Sequence, residues 1–342
     1  MKEYLFGKSL SELQDITNGI GLPKFAAKQL AEWLYKKRVA TIDDMTNLSK
    51  KARAALNEKY EIGLVAPRSV QASADGTKKY LFKAGKTGYV EAAYIPESKR
   101  NTLCVSVQVG CKMNCSFCAT GKQGFQANLS TREILNQIVS IPESETLTNL
   151  VYMGMGEPLD NADEVLKSLE ILTSDWGFEW NARKITVSTI GIISEMKRLL
   201  EESSCHLAIS LHNPFDDERT ALMPVNKAFP IAKIVSELKK YSFDRHRRVS
   251  FEYIVFGGLN DTQRHVNEIA RLLNGIKCRV NLIRFHHIPG SQLKATDEAR
   301  LLTFKEALIA KGITTTVRAS RGQDIDAACG LLSTKELLKE TD

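Results

Sequence analysis

The stretch Cys111-Lys112-Met113-Asn114-Cys115-Ser116-Phe117-Cys118 puts three thiols at C-x3-C-x2-C spacing. Thiolates are the usual ligands of iron–sulfur cubes, and three of them hold three irons of a [4Fe–4S] cluster. The fourth iron then keeps a position that a substrate can enter. A tetrahedral zinc site would need a fourth ligand, which Cys205 or His206, far along the chain, would have to supply. The chain has seven cysteines, an odd number, and its opening Met1-Lys2-Glu3-Tyr4-Leu5-Phe6 lacks the apolar stretch and cleavage site of an export signal. Structural disulfides are therefore not expected, and metal or redox use is. Taken singly, Cys104, Cys205, Cys278 and Cys329 read as small buried hydrophobes.

The elements around the motif indicate how it is positioned. Ser9 with Glu12 forms a capping box that opens a helix over Leu10 to Ile20. Two further helices are expected over Lys24 to Lys37 and from Ser49 onward. Lys79 to Lys83 and Tyr89 to Ile95 read as strands. From Thr102, apolar strands (Leu103 to Val109, Asn149 to Met153, Ile185 to Ser188, His206 to Leu211, Val249 to Val255, Val280 to Phe285) alternate with amphipathic helices such as Thr131 to Ile141, Ala162 to Thr173 and Thr262 to Leu273. That alternation implies an α/β fold with a parallel sheet, and six units suggest a partial, open (β/α)6 barrel. Chemistry in such sheets sits beyond the carboxyl ends of the strands. The expected domains are an N-terminal helical one over 1–62, a β connector over 63–100, a core over 101–333 and a tail over 334–342.

With 43% hydrophobic and 25% charged residues, the composition is that of an ordinary soluble globular protein. No run approaches the ~20 apolar residues of a membrane span, so a cytoplasmic location and no membrane partner are expected. The net charge of +7 favours an anionic partner. Its densest run is Arg245-His246-Arg247-Arg248, and Lys24, Lys28, Lys36, Lys37, Arg38, Lys50, Lys51 and Arg53 add to it. Solvated helix faces account for such charges equally well.

The cysteine spacing resembles that of radical S-adenosylmethionine (SAM) enzymes. Beyond that superfamily, the chain resembles the RlmN and Cfr family of RNA adenosine methyltransferases along nearly its whole length. The resemblance is carried by Val109 through Phe125, Met153 to Leu159, Val187-Ser188-Thr189, Ser210-Leu211-His212, Leu222 to Asn226, Asn281-Leu282-Ile283 and Gly322 to Gly330, and by Leu22 to Phe25 and Met45 to Ser49 in the helical module. It implies a radical SAM barrel with Cys111, Cys115 and Cys118 on the cluster, and an RNA-binding role for the helical domain over 1–62. Gly156, Glu157, Ser188, Ser210, Leu211, His212 and Asn281 should line the SAM site, with the glycines admitting a close backbone approach.

The same resemblance assigns Cys329 as the methyl carrier, an S-methylcysteine intermediate, and Cys104 as the resolving cysteine that forms a transient disulfide with it. Glu91 matches the family's proton acceptor; on residue type alone it is a strand carboxylate facing solvent. Two SAM molecules per turnover are implied, one methylating Cys329 and one cleaved to a 5′-deoxyadenosyl radical. The expected substrate is an adenosine of 23S ribosomal RNA at the peptidyl transferase centre, with transfer RNA (tRNA) as a second substrate, methylated at ring carbon C2. Methylation at C8, as in the Cfr branch, is the alternative. A flavodoxin- or ferredoxin-like low-potential electron donor and a monomeric state are expected. A radical SAM enzyme acting on a protein or metabolite, and a metal-bearing RNA-binding module without catalysis, are the readings from other classes.

Overall fold

The computed structural model describes residues 2–244 and 247–334. Arg245 and His246 of the basic run, and all of the tail except Thr334, lie outside the described residues.

Strand β1 (Glu3–Tyr4) leads into α1 (Leu10–Gly19), α2 (Ala26–Ala31) and α3 (Lys50–Lys59), and β2 (Tyr60–Glu61) returns parallel to β1. Helix α1 starts where its capping box dictates. The Ser9 hydroxyl accepts the Glu12 N–H at 3.3 Å and the Glu12 carboxylate accepts the Ser9 N–H at 2.6 Å. The helix expected over Lys24 to Lys37 tightens into α2 and then widens into a π-helical turn at Glu32–Lys36.

A ten-stranded sheet forms the rest. Its antiparallel arm is β3 (Ser69–Ala72), β4 (Lys78–Ala84) and β5 (Gly88–Glu97), joined through β6 (Arg100–Cys104) to the parallel part. The β connector expected from sequence is thus continuous with the main sheet. After β6 come the short β7 (Gln108–Val109), α4 (Ala119–Gln123), β8 (Ala127–Asn128) and α5 (Thr131–Val139), then β9 (Asn149–Tyr152), α6 (Ala162–Thr173), β10 (Ile185–Thr189), α7 (Ile193–Glu202) and β11 (His206–Ser210). The chain continues through α8 (Asp216–Leu222), α9 (Ile231–Leu238), β12 (Val249–Val255), α10 (Gln263–Leu273), β13 (Cys278–Arg284), α11 (Glu298–Ala310) and β14 (Thr314–Val317). Strands β6, β9, β10, β11, β12, β13 and β14 are parallel neighbours in that order. Strand β14 adds a seventh parallel strand to the six expected.

The register puts Tyr152, Val187, Leu207 and Val249 side by side across four strands, and all four are buried. Val266, Ile269 and Leu273 of α10, spaced three and four apart, close over the sheet. Each such side chain contributes about 1.5–3 kcal/mol relative to exposure. The strand expected over Leu103 to Val109 stops at Cys104. There Ser106 leaves the ladder: its N–H is accepted by Gln137 Oε1 at 2.9 Å and its hydroxyl donates to the Glu91 carbonyl at 2.6 Å. This break turns the chain across the carboxyl ends of the strands, where the three-cysteine loop follows.

Candidate active site

The glycine-rich turn after β9 is fastened to the base of the cysteine loop. The Gln108 carboxamide accepts the Glu157 N–H at 2.9 Å and donates to Asp160 at 2.8 Å. The Met155 N–H donates to the Ser106 hydroxyl at 2.8 Å. A Cβ at Gly154 would stand 2.6 Å from Ser106 Oγ. At Gly156, where φ is +97°, it would stand 2.5 Å from Gln108 Cβ. Only glycine allows these two layers to touch.

Cys111 and Cys115 are buried and Cys118 is half-buried. All three line a cavity of ≈ 160 Å³ with Gly156, Glu157, Ser188, Ser210 and His212. The remaining wall is largely apolar, from Met113, Phe117, Ile190, Met223 and Ile254. Burial pushes the Cys111 thiol up to about 12 and Cys115 well above its ordinary value, so metal binding must displace their protons. Three thiols around an apolar pocket fit an iron–sulfur cube with one open iron. The candidate fourth zinc ligands do not reach it. Cys205 and His206 stand at the start of β11, while the cavity takes Ser210 from that strand's other end. His212 Nδ1 accepts the Ile254 N–H at 3.0 Å, and burial, with Arg219 adding to it, holds the ring neutral by lowering its pKa to about 3.

Glu157 uses its carboxylate internally. Oε1 accepts the Leu159 N–H at 3.0 Å and Oε2 the Ile190 N–H at 2.9 Å, which joins the ends of β9 and β10. Burial nevertheless pushes it up to about 7. Two further residues of the expected SAM set do not line the smaller cavity. The Leu211 side chain belongs to the main hydrophobic core and its carbonyl accepts from Arg219 Nε at 3.0 Å. Asn281 lines a second, larger cavity, donating to Glu252 at 2.8 Å and accepting from Thr316 at 2.7 Å.

That second cavity, ≈ 970 Å³, runs the length of the open barrel. At the strand starts it is lined by His206, Arg248, Lys277 and Arg279, and at the strand ends by Cys104, Cys118, Arg318 and Cys329. Cys329 also lines the smaller cavity, so it stands at the wall common to both. Cys104 packs with Ala93 and Ala327, and burial pushes its thiol up to about 12. Cys329 is exposed as a residue, but its sulfur among the barrel walls is partly desolvated, which raises the thiol, and the Arg318 guanidinium draws it back. Arg318 is held by Glu252 at 3.0 Å. All seven cysteines are free thiols in this conformation.

The Cys329 segment is strapped down on both sides. The Ala119 N–H donates to the Gly330 carbonyl at 2.8 Å, and Gln123 Oε1 accepts the Thr334 N–H at 3.0 Å. Asp75 accepts the Gly322 N–H at 3.0 Å and Asp324 accepts from the Ser73 hydroxyl at 2.6 Å. Glu91 also belongs to this clasp. It is buried, not solvent-facing, with Lys79 at 3.1 Å from one carboxylate oxygen and the Ser333 N–H at 3.0 Å from the other. It lines neither cavity, and burial, against the pull of Lys79, raises its pKa. Arg247, expected on a basic surface, instead serves the end of α7. Its guanidinium donates to the carbonyls of Leu199, Leu200 and Cys205.

Sequence reasoning passed over Gln108, Arg219, Glu252 and Arg318. For Glu252 a signal was present: a carboxylate inside the apolar strand Phe251-Glu252-Tyr253-Ile254 must find a buried partner.

Residues 105–273 match the family model described as Radical SAM superfamily, and residues 4–62 that of the Ribosomal RNA large subunit methyltransferase N-terminal domain. A radical SAM methyltransferase from Sphaerobacter thermophilus has the same fold, with a TM-score of 0.89 and 38% identity over 96% of this chain and 99% of that one. Open parallel sheet, thiol triad and glycine turn are therefore those of a radical SAM enzyme, a class that implies a [4Fe–4S] cluster and SAM. The "Probable dual-specificity RNA methyltransferase RlmN" of Phocaeicola vulgatus is 57% identical over 99% of this chain and 97% of its own length. The "Dual-specificity RNA methyltransferase RlmN" of Syntrophus aciditrophicus is 41% identical over 96% of each. The chain belongs to the RlmN family.

Proposed function

We propose that the protein methylates C2 of an adenosine in 23S ribosomal RNA and in tRNA, through a methyl group carried on Cys329. The placement of Cys329 at the wall shared by the two cavities, where Cys118 also lines both and Cys104 lines the larger, supports this reading above all else.

Adenine C2 is a poor nucleophile, so polar transfer from SAM to it is slow. A thiolate is a good one. Cys329 takes the methyl group from a first SAM, and Arg318 favours the thiolate that does so. When bound, the cluster supplies the electron that cleaves a second SAM. Cys111, Cys115 and Cys118 hold it, while Gly156, Ser188, Ser210 and His212 offer backbone and polar groups to that SAM. The methyl carbon on Cys329 would lose a hydrogen atom to the 5′-deoxyadenosyl group so released and then bond to C2, and the electron left on the adduct would return to the cluster. Glu91 takes the ring proton, for which the Ser333 clasp must open. Cys104 attacks the Cys329 sulfur, and a transient disulfide releases the RNA. The thiols must be reduced again between turnovers, in keeping with a cytoplasmic enzyme served by a flavodoxin- or ferredoxin-like donor. No helix among the described residues is long and apolar enough to cross a membrane. The working unit is a monomer in this reading, with residues 1–62 gripping the RNA, 63–100 joining them to the 101–333 core, and 334–342 as a tail.

The test is anaerobic incubation of the reconstituted protein with SAM, reductant and a ribosomal RNA fragment, followed by nucleoside mass spectrometry. The expected product is 2-methyladenosine; 8-methyladenosine would overturn the ring position, and no product alongside SAM cleavage would overturn the RNA target. Cys329→Ala should abolish methyl loading. Cys104→Ala should load and then hold the RNA as a covalent adduct, and free product at native yield would remove Cys104 from the resolving role.

A further inference from the structure

The segment Leu222-Met223-Pro224-Val225-Asn226 is distinctive in the sequence and has no part in the chemistry above. Its neighbour Arg219, on α8, is completely buried. The Arg219 guanidinium donates to the carbonyls of Ser210 (2.8 Å), Leu211 (3.0 Å), Ile190 (3.2 Å) and Phe229 (3.4 Å), and to the Asn226 side-chain oxygen. All of these acceptors are neutral. Among the described residues no carboxylate lies within ion-pair distance of Arg219. The nearby Asp216 carboxylate instead accepts from the Ile231 N–H at 2.8 Å and from Asn226 at 3.1 Å. Asn226 thus holds the guanidinium with its oxygen and α8 with its nitrogen, which explains the motif.

A buried cation whose hydrogen-bond acceptors are all neutral is costly, because desolvation outweighs the attraction of the more distant Asp216. The place of Arg219 suggests what offsets it. The residues whose carbonyls it grips, Ile190 and Ser210, line the cavity of the three thiols. The cysteine loop docks on the same helix, with the Ser116 N–H donating to the Leu222 carbonyl at 2.9 Å. A [4Fe–4S] core held by three thiolates carries net negative charge, and reduction increases it. Net charge around such a cluster is one of the factors that set its potential.

We propose that Arg219 is a positioning residue for the iron–sulfur cluster, and that its unpaired buried charge stabilises the reduced state. The proposal rests on the reading of Cys111, Cys115 and Cys118 as cluster ligands. It places a control of electron entry on α8, behind the wall of the thiol cavity.

Potentiometric titration of the reconstituted full chain, followed by the electron paramagnetic resonance of the reduced cluster, tests this. Iron and sulfide are counted first. At the potential where the native cluster is half reduced, Arg219→Gln should lower the reduced-to-oxidised ratio at least about tenfold, equivalent to ~59 mV for one electron. Arg219→Lys keeps the charge and should stay near the native ratio, and Asp216→Asn should raise the ratio. Full iron loading with an unmoved ratio in Arg219→Gln overturns the proposal. If that variant does not fold, an unmoved ratio in Asp216→Asn does the same. A native chain that takes up no iron overturns the cluster reading itself, and the proposal with it.

Discussion

His212 sits in left-handed backbone geometry, φ +51°, uncommon for a residue with a side chain. Asn260 holds its carbonyl at 2.7 Å, and the Phe117 ring meets the imidazole edge-on at 4.8 Å between centroids. Burial, with Arg219 adding to it, keeps the ring neutral, with a folded pKa of about 3 against about 6.5 in an unfolded chain. Protonation therefore favours unfolding. The stability tied to His212 is intact above about pH 6.5 and drains as the pH falls toward the folded value, with about 2 kcal/mol lost by about pH 5. Glu157 acts in the opposite direction, since a pKa raised to about 7 gives stability in acid that is lost as pH rises through that value. Denaturant unfolding of the native protein and of His212→Asn at both pH values separates the two. An equal acid loss in both proteins would show that His212 is not its source. For Cys329, whose thiol lies above its ordinary pKa, methyl loading should accelerate by up to about tenfold from about pH 7 to about pH 8 as the thiolate fraction grows. A flat profile would mean that deprotonation does not limit loading.

At the scale of elements, the strap carrying Cys329 is tied to α4, which follows directly on Cys118, so Cys329 and Cys118 are held to one support. Gln123 makes that tie with both ends of its carboxamide, accepting from Thr334 N–H and the Ser333 hydroxyl and donating to the Thr334 hydroxyl. Gln123→Ala should cost about 1–3 kcal/mol through the buried groups left unpaired, speed alkylation of Cys329, and slow methyl loading. Unchanged alkylation would show that the strap holds without it. This coupling was not legible in the sequence, because it joins residues about 210 positions apart. The six apolar strands were legible, because their alternation with amphipathic helices is a local signal. Strand β14 was not: Thr314-Thr315-Thr316-Val317 is short and polar, and it lies at the sheet's edge. The thiol triad could be read from spacing alone, whereas Arg219 and Arg318 are single charged residues that acquire roles only where distant strands converge.

Across the whole molecule, one main hydrophobic cluster takes in residues from Leu5 to Leu332. Phe6 and Tyr35 of the N-terminal module pack on Phe178, at 6.3 and 5.3 Å between ring centroids, and Arg38 pairs with Glu145 at 2.6 Å. A chain beginning at about residue 63 should therefore melt well below the full protein, or fail to dissolve, rather than behave as an independent barrel. Equal melting temperatures would contradict that. Lys36, Lys37 and Arg38 are engaged in ion pairs. Reversing the charge of Lys24, Lys28, Lys50 and Lys51 should weaken RNA binding and flatten its salt dependence; an unchanged slope would move the RNA-gripping face elsewhere. The barrel, finally, has a back door. Its cavity opens at the strand starts beside Arg248, Lys277 and Arg279 and continues to Cys329 at the other end. An RNA that seals the front leaves this rear passage open. Small oxidants and alkylating reagents should then reach the sulfur even in the RNA-bound complex, and protection of Cys329 would have to come from the reducing surroundings rather than from the substrate.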